Sequence, residues 1–136
     1  MSDRIASDHP TVETVRAEIV RHGGRKRLEL SESVLPDDEI IRVIIDGETY
    51  FANPRNSRQI TGVYESPSFA RDPGGQREFL SEWLDEIGRH IGLSVEVDVI
   101  EPAVAYGIRE PGTRAVYTGI EGPKSSLASI AKDLDR

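Results

Sequence analysis

The sequence predicts a single α+β domain, spanning 1–136, in which a mostly antiparallel sheet curls into a partial barrel around one central packed helix. Three observations carry this prediction. Residues 77–92 repeat apolar side chains at three- and four-residue spacing around the only tryptophan, Trp83, which indicates an amphipathic helix with a core-facing tryptophan. Residues 94–101 alternate apolar and acidic side chains, as a half-buried strand does. Asp46-Gly47 separates two β-rich runs and predicts a hairpin turn.

The first half of the chain is predicted to hold a terminal helix and then strands. We expect residues 1–9 to be frayed. Residues 10–22 begin with a proline and place an apolar stripe on one side, which predicts a helix that ends at Gly23-Gly24. In residues 25–31 leucines alternate with charged residues, which predicts a half-buried strand. The hairpin around Asp46-Gly47 follows at residues 40–54.

The second half is predicted to hold strands around the central helix. Residues 59–65 are β-rich and predict a strand, whereas 66–75 contain breakers and predict an irregular or briefly helical link. After the strand at 94–101, a return strand and a last strand are expected at 103–110 and 111–119. In the last strand, Ala115 and Tyr117 share one face and Val116 takes the other. Residues 123–136 predict a terminal helix, so that each terminus carries one.

The two predicted hairpins share a pattern. Residues 37–54 and 93–111 each consist of an alternating strand, an acidic turn and a return strand that carries a tyrosine, Tyr50 or Tyr106. Two such hairpins can face each other across a pseudo-two-fold axis and close a small barrel.

Composition narrows the class of protein. The chain has no cysteine, which excludes disulfides, thiolate metal sites and cysteine nucleophiles. No apolar run approaches the roughly 18 residues that a membrane span needs, and the N-terminus lacks the basic and apolar regions of a signal peptide. We therefore expect a soluble cytoplasmic protein with no membrane partner.

The charge composition points to the host. Acidic residues outnumber basic ones 24 to 17, the net charge is −7, and only Lys26, Lys124 and Lys132 are lysines. An acidic surface nearly without lysine is typical of salt-loving archaea, because negative charge maintains solubility where molar salt screens charges beyond about 3 Å. An ordinary acidic protein from a high-GC organism has the same composition.

Three segments carry a family resemblance: SDHPTVETVRA at 7–17, ITGVYESPSFARDPG at 60–74 and VIEPAVAYGIREPGTRAVY at 99–117. They resemble an uncharacterised haloarchaeal family of small proteins, known only as a domain of unknown function. The resemblance covers nearly the whole chain and implies the host but no activity.

Two more distant likenesses imply DNA binding. Residues 28–54 are similar to the swapped-hairpin DNA-binding domains of transition-state regulators, although Asp37-Asp38 stands where that group usually has a glycine-aspartate pair. Residues 77–109 are similar to the pseudobarrel of plant-type B3 DNA-binding domains.

Signals for catalysis are absent from the sequence. There is no G-x-S-x-G, P-loop, G-x-G-x-x-G or H-E-x-x-H motif. The three histidines lie far apart, so solvated or helix-end positions are expected for them. The carboxylate pairs Glu82/Glu86 and Glu96/Asp98 indicate a solvated acidic face. We therefore expect a protein that is not an enzyme and that has no catalytic residues, cofactor or metal.

One basic cluster departs from the acidic background. It lies at the end of the predicted terminal helix, beside two glycines that allow close backbone approach, and Arg55 and Arg58 of a later loop can join the same surface. The members of the cluster are Arg21, His22, Arg25, Lys26 and Arg27. Bases in the last turn of a helix also complement its dipole, which is the structural alternative.

Two functions remain open from the sequence. The first is non-catalytic nucleic-acid binding, with a regulatory role, through the basic cluster and the Arg55/Arg58 loop. The second is a protein-interaction or assembly module, a homodimer that pairs through an edge strand or through the C-terminal helix. A contiguous basic surface favours the first function, and a large exposed apolar patch favours the second.

Overall fold

The computed structural model describes residues 5–9 and 12–117, except the side chains of Ile5 and His22. These residues form a seven-stranded mixed sheet that curls into a half-barrel, a separate two-stranded sheet and two short helices. The strands are β1 (Ile5–Ala6), β2 (Glu13–His22), β3 (Arg25–Leu30), β4 (Ile41–Ile45), β5 (Glu48–Ala52), β6 (Gln59–Ile60), β7 (Ser94–Glu101), β8 (Ala105–Arg109) and β9 (Val116–Tyr117). The helices are α1 (Pro67–Arg71) and α2 (Phe79–Glu86).

The strand order of the large sheet is β5-β4-β8-β7-β2-β3-β6. All neighbouring strands in it are antiparallel except β4 and β8, which pair in parallel. β1 pairs antiparallel with β9 to form the small sheet. Residues 5–9 therefore include a short paired strand.

The predicted helix at 10–22 is wrong, because β2 occupies Glu13–His22. Val15, Ala17 and Ile19 are fully or almost fully buried, whereas the residues between them are exposed, which is a period of two. β-Branched residues also fit helical spacing over so short a segment, but pairing with β3 and β7 on both sides makes β2 a central strand. Gly23-Gly24 is accordingly a hairpin turn, with Gly23 at φ +63° in the position that favours glycine.

Both hairpins predicted from the sequence are present, but they are not related by a two-fold axis. Asp46 and Gly47 have φ of 52° and 80°, as the tight turn between β4 and β5 requires. β7 and β8 form the second antiparallel hairpin. The two hairpins meet through β4 and β8, which pair in parallel. β4 is the first strand of its hairpin and β8 is the second strand of its own, so equivalent strands do not pair.

Of the predicted helix at 77–92, Phe79–Glu86 is helical. Glu78 caps its N-terminus, and Gly88 at φ +72° follows its end. Trp83 is 7 % exposed and contributes to the core, as its position in the apolar stripe predicts. The short link at 66–75 contains α1, with Ser66 as its N-cap. The predicted helix at 123–136 lies outside the described residues.

The core fills the inside of the half-barrel, between the sheet and α2. A second, smaller apolar cluster of Ile44 and Tyr117 lies on the opposite face of the sheet, called here the outer face. There the β1–β9 pair covers part of the sheet, with Ala115 and Tyr117 turned inward and Val116 outward, as predicted. Neither α1 nor α2, the helices of the described chain, has the length and apolar character to cross a membrane.

Candidate functional site

The basic cluster lies on the β2–β3 hairpin and not at a helix end. Arg21 pairs with Lys26 and His22 with Arg25 across the turn at Gly23-Gly24. The cluster is therefore not in the last turn of a helix of its own, as the structural alternative requires. The side chain of His22 lies outside the described part of the structure.

The alternation of β3 divides the cluster between two faces. Leu28 and Leu30 point into the core, and Lys26 shares their face. Lys26 Nζ contacts Asp85 Oδ1 at 2.5 Å and the carbonyl oxygen of Arg89 at 2.9 Å, so its charge is neutralised at the end of α2. By register, Arg21 lies on this same face.

Arg25 and Arg27 leave β3 on the outer face and meet Arg55, from the loop after β5. The three side chains line a cavity of about 490 Å³, called here the arginine groove. The complete lining is Gly24, Arg25, Arg27, Arg55, Gln59, Thr61 and Tyr64. The fold thus brings residues that are 28 positions apart in sequence, Arg27 and Arg55, to one surface.

The arginines of the groove have no salt-bridge partner in the described chain. None of the described lining residues is acidic. Within residues 5–9 and 12–117, no carboxylate forms a salt bridge with Arg25, Arg27 or Arg55, whereas Lys26 and Arg109 each have one or more. In addition, Arg27 Nε is buried, and no described residue accepts a hydrogen bond from it.

Arg58 does not line the arginine groove. Its Nε donates to the carbonyl oxygen of Leu30 at 3.0 Å. Its side chain lines a different cavity together with Arg16, Glu18 and Glu29. The structure therefore brings together three of the predicted binding residues and places Arg21, Lys26 and Arg58 elsewhere.

The wall of the arginine groove is fixed by Glu78. Its carboxylate accepts hydrogen bonds from the backbone N–H groups of Val63 at 2.9 Å, Leu80 at 2.6 Å and Ser81 at 3.0 Å. Burial raises the pKa of Glu78 above its usual range, and the backbone donors and the charge of Arg25 partly offset this shift. The contact ties the segment that carries Thr61 to the start of α2.

A second polar arrangement, which the sequence did not reveal, lies on the outer face around Asp98. Asp98 is fully buried, so the expectation that Glu96/Asp98 is a solvated acidic pair is wrong for Asp98. Its Oδ1 accepts from Thr14 Oγ1 at 2.6 Å, and its Oδ2 accepts from Arg109 Nε at 2.8 Å and from Tyr117 Oη at 2.5 Å. We call Thr14, Asp98, Arg109 and Tyr117 the Asp98 network.

Strand register explains how the Asp98 network assembles. Thr14, Asp98 and Gly107 are direct neighbours across β2, β7 and β8. Tyr117 of β9 lies over Gly107, where an added Cβ would be 2.2 Å from the Tyr117 hydroxyl oxygen. Glycine inside a strand often marks such a close approach, so Gly107 is the one sequence signal that could have indicated this site.

Arg109 supplies the charge that balances Asp98. It also contacts Glu96 Oε1 at 2.7 Å, and hydrogen bonding to Asp98 raises the pKa of its guanidinium. Burial, and then the hydrogen bond to Asp98, raises the pKa of Tyr117, so its hydroxyl remains a proton donor at all ordinary pH values. Through these internal hydrogen bonds, the Asp98 network fastens β9 to the sheet.

Among the described residues, no group of three or more His, Asp or Glu side chains is arranged to hold a metal ion. The arginine groove combines a cavity, three arginines without an acidic lining residue, and neutral polar side chains. It can bind an anion with several acceptor oxygens, since each guanidinium offers a planar set of N–H donors.

Comparison with known proteins gives a family but no activity. No curated protein and no solved structure matches the sequence significantly. A family model described as a family of unknown function, DUF7112, matches residues 1–134. Since that match covers nearly the whole sequence, the chain belongs to the DUF7112 family.

Proposed function

We propose that the protein is a non-catalytic nucleic-acid-binding protein that holds phosphate groups in the arginine groove. The observation that carries this proposal is the convergence of Arg25, Arg27 and Arg55 on one cavity without any acidic lining residue. In a protein with a net charge of −7, an uncompensated positive site opposes the general charge of the molecule. A positive surface of this kind is the usual electrostatic footprint of phosphate binding.

The chemistry of arginine supports phosphate over other anions. A guanidinium donates two parallel N–H bonds to one phosphate, which combines charge with direction. Direction is important here because salt weakens attraction that depends on charge alone. Contacts of this type fix the position of a nucleic acid without reading its sequence, so a regulatory role would require further contacts.

The test is a triple variant, Arg25→Gln/Arg27→Gln/Arg55→Gln, measured with a fluorescently labelled oligonucleotide over a range of salt concentrations. If the three side chains contact phosphates, the slope of log affinity against log salt on a single-stranded oligonucleotide becomes shallower by up to about two units. The matched control, Arg71→Gln/Arg77→Gln/Arg114→Gln, removes the same charge outside the groove. It should retain the slope.

Equal binding by the wild type and the groove variant at about 0.2 M salt would contradict the proposal. So would equal losses in the groove variant and the control, because the effect would then come from net charge alone. Circular dichroism of both variants shows whether they are folded.

A second candidate function, a homodimeric interaction module, rests on exposed apolar side chains. Ile91 and Leu93, which flank Gly92 before β7, are 38 % and 41 % exposed, and Val116 is 39 % exposed. A dimer that buries them should become monomeric in an Ile91→Ser/Leu93→Ser variant, as measured by light scattering after gel filtration. A monomeric wild type would rule this candidate out.

We also propose that the protein acts in the cytoplasm of a salt-adapted archaeon. The support is the excess of acidic over basic residues, 24 to 17, which repel one another at low ionic strength. The melting temperature should rise steeply from low to molar KCl. A melting temperature that does not change with KCl concentration would contradict the proposal of a salt-adapted host.

A further inference from the structure

We propose that the arginine groove accepts one unpaired nucleotide, at a phosphorylated strand end or as a free mononucleotide, and not the backbone of a duplex. This inference rests on the proposed function, because it specifies the form of nucleic acid that the same site binds. It follows from the size of the groove, the limits of its positive charge and the neutral side chains in it.

The size of the groove fits a small ligand. Its volume of about 490 Å³ lies within the range of roughly 300–1,000 Å³ that is usual for small-molecule pockets. Gly24 stands at its edge, and a Cβ placed there would meet no atom within 4 Å, so this side of the groove is open. A nucleotide can enter the groove from this open side.

The positive charge ends close to the groove. Glu29 is the next residue of β3 on the face of Arg27, and Glu18 lies directly opposite Glu29 on β2. Both carboxylates line the neighbouring cavity together with Arg16 and Arg58, so the net positive charge does not continue beyond the groove. A duplex carries one phosphate charge about every 1.7 Å along its axis, so a duplex backbone that crosses the hairpin would pass from the groove onto a surface without net positive charge.

Neutral hydrogen-bonding groups share the groove with the three guanidiniums. Gln59 Oε1 accepts a hydrogen bond from Asn56 Nδ2 at 3.1 Å, which leaves the two N–H groups of the Gln59 amide for a ligand. Thr61 adds a hydroxyl to the lining. These donors can serve a phosphate oxygen, a base or a ribose. Together with the three guanidiniums, they give the groove polar partners for a whole nucleotide.

The wall of the groove that carries Tyr64 is held by hydrogen bonds. Tyr64 and Phe51 exchange both backbone hydrogen bonds, at 2.8 and 2.7 Å, and Glu78 holds the adjoining segment through Val63. A wall held in this way favours a ligand of defined shape. The buried Arg27 Nε, which has no acceptor among the described residues, is a donor that a small rotation of the guanidinium would present to such a ligand.

The experiment compares a labelled single strand of about 12 nucleotides with a 5′-phosphate, the corresponding duplex, and unlabelled AMP, UMP and inorganic phosphate as competitors. The single strand should bind at least about tenfold more tightly than the duplex, because a duplex must unpair a base to enter the groove. A mononucleotide should displace the strand at lower concentration than inorganic phosphate does.

Two variants separate this inference from the proposed function. Gln59→Ala should weaken binding of the single strand by about two- to tenfold without changing the salt slope, since a neutral hydrogen bond is lost. Arg25→Gln should make the slope shallower by up to about one unit. A loss of affinity in one variant and a change of salt slope in the other are expected together only if the groove binds both the phosphate and the remainder of a nucleotide.

Each failure has its own meaning. If the duplex binds as tightly as the single strand, or if inorganic phosphate competes as well as AMP and UMP, the inference is overturned. The proposed function then still stands, provided that the triple arginine variant has a shallower slope. If no nucleic acid binds, the proposed function falls and the inference falls with it.

Discussion

Two regions of the outer face use arginine in opposite ways. In the Asp98 network, the Arg109 side chain is 13 % exposed and contacts the carboxylates of Asp98 and Glu96. In the arginine groove, neither Arg25 nor Arg27 forms a salt bridge with a carboxylate of the described chain. A buried charge must be paired, because an unpaired one costs several kcal/mol, whereas a charge beside an open cavity is stabilised by water. Pairing, more than the local density of arginine, therefore distinguishes a structural arginine from one available to a ligand.

The largest expected effect on stability comes from a substitution in the Asp98 network, which is the buried region of the two. Asp98→Ala removes the acceptor of three side chains and leaves Arg109 without its main partner. The free energy of unfolding should fall by about 3–5 kcal/mol, as measured by urea denaturation. Glu96→Ala is the matched control on the same strand, because it removes the partly exposed partner of the same guanidinium, and it should cost only about 0–1 kcal/mol. Equal losses in the two variants would show that burial does not increase the contribution of the Asp98–Arg109 pair to stability.

The next effect tests the packing that encloses the Asp98 network. Gly107→Ala places a Cβ 2.2 Å from the Tyr117 hydroxyl oxygen, so Tyr117 must move away from Asp98. Overpacking of this kind should destabilise the protein by about 1–3 kcal/mol. Gly75→Ala is the control, because a Cβ there would meet no atom within 4 Å and the backbone does not have positive φ. If both variants melt at the same temperature, Tyr117 does not depend on the absence of a side chain at Gly107.

A smaller effect concerns pH and the wall of the arginine groove. Burial raises the pKa of Glu78 above the usual 4.5, so the folded chain retains a proton that the unfolded chain has lost. The stability contributed by Glu78 is therefore greatest at low pH and declines as the pH rises from about 4.5 through the pKa of the folded state. The stability of the wild type relative to Glu78→Gln should decline over that window, as measured by denaturation at several pH values. A constant difference would contradict the raised pKa.

Local signals in the sequence predicted local structure well. Asp46-Gly47 correctly predicted a hairpin, because both of its residues tolerate positive φ. The apolar stripe around Trp83 correctly indicated a core residue. The segment 13–22 was predicted incorrectly, because its β-branched residues satisfy a period of two and helical spacing alike. Its state is decided by β3 and β7, which pair with it on both sides.

The candidate site was predictable only in part, because sequence proximity does not show which face a side chain takes. The cluster at 21–27 did mark the right hairpin, but strand alternation turns Lys26 toward Asp85 and away from Arg25 and Arg27. The partnership with Arg55 depends on the path of a distant loop. Asp98 was hidden for the same reason, since the strand that covers it, β9, follows 18 residues later in the chain.

The smallest expected effect on stability comes from substitutions in the arginine groove. The triple groove variant, Arg25→Gln/Arg27→Gln/Arg55→Gln, removes no described salt bridge, so its free energy of unfolding should stay within about 0.5 kcal/mol of the wild-type value. Glutamine retains part of the aliphatic stem that packs at half-buried Arg27.

The same variant makes the net charge of −7 more negative by three charges, which adds a small repulsion that added salt should remove. Urea denaturation at low and high KCl measures both quantities. Arg109→Gln provides the reference, because it deprives Asp98 of its balancing charge and should cost about 3–5 kcal/mol. A loss of that size in the groove variant at high salt would mean that Arg25, Arg27 and Arg55 support the fold, and the distinction between the two regions would then be lost.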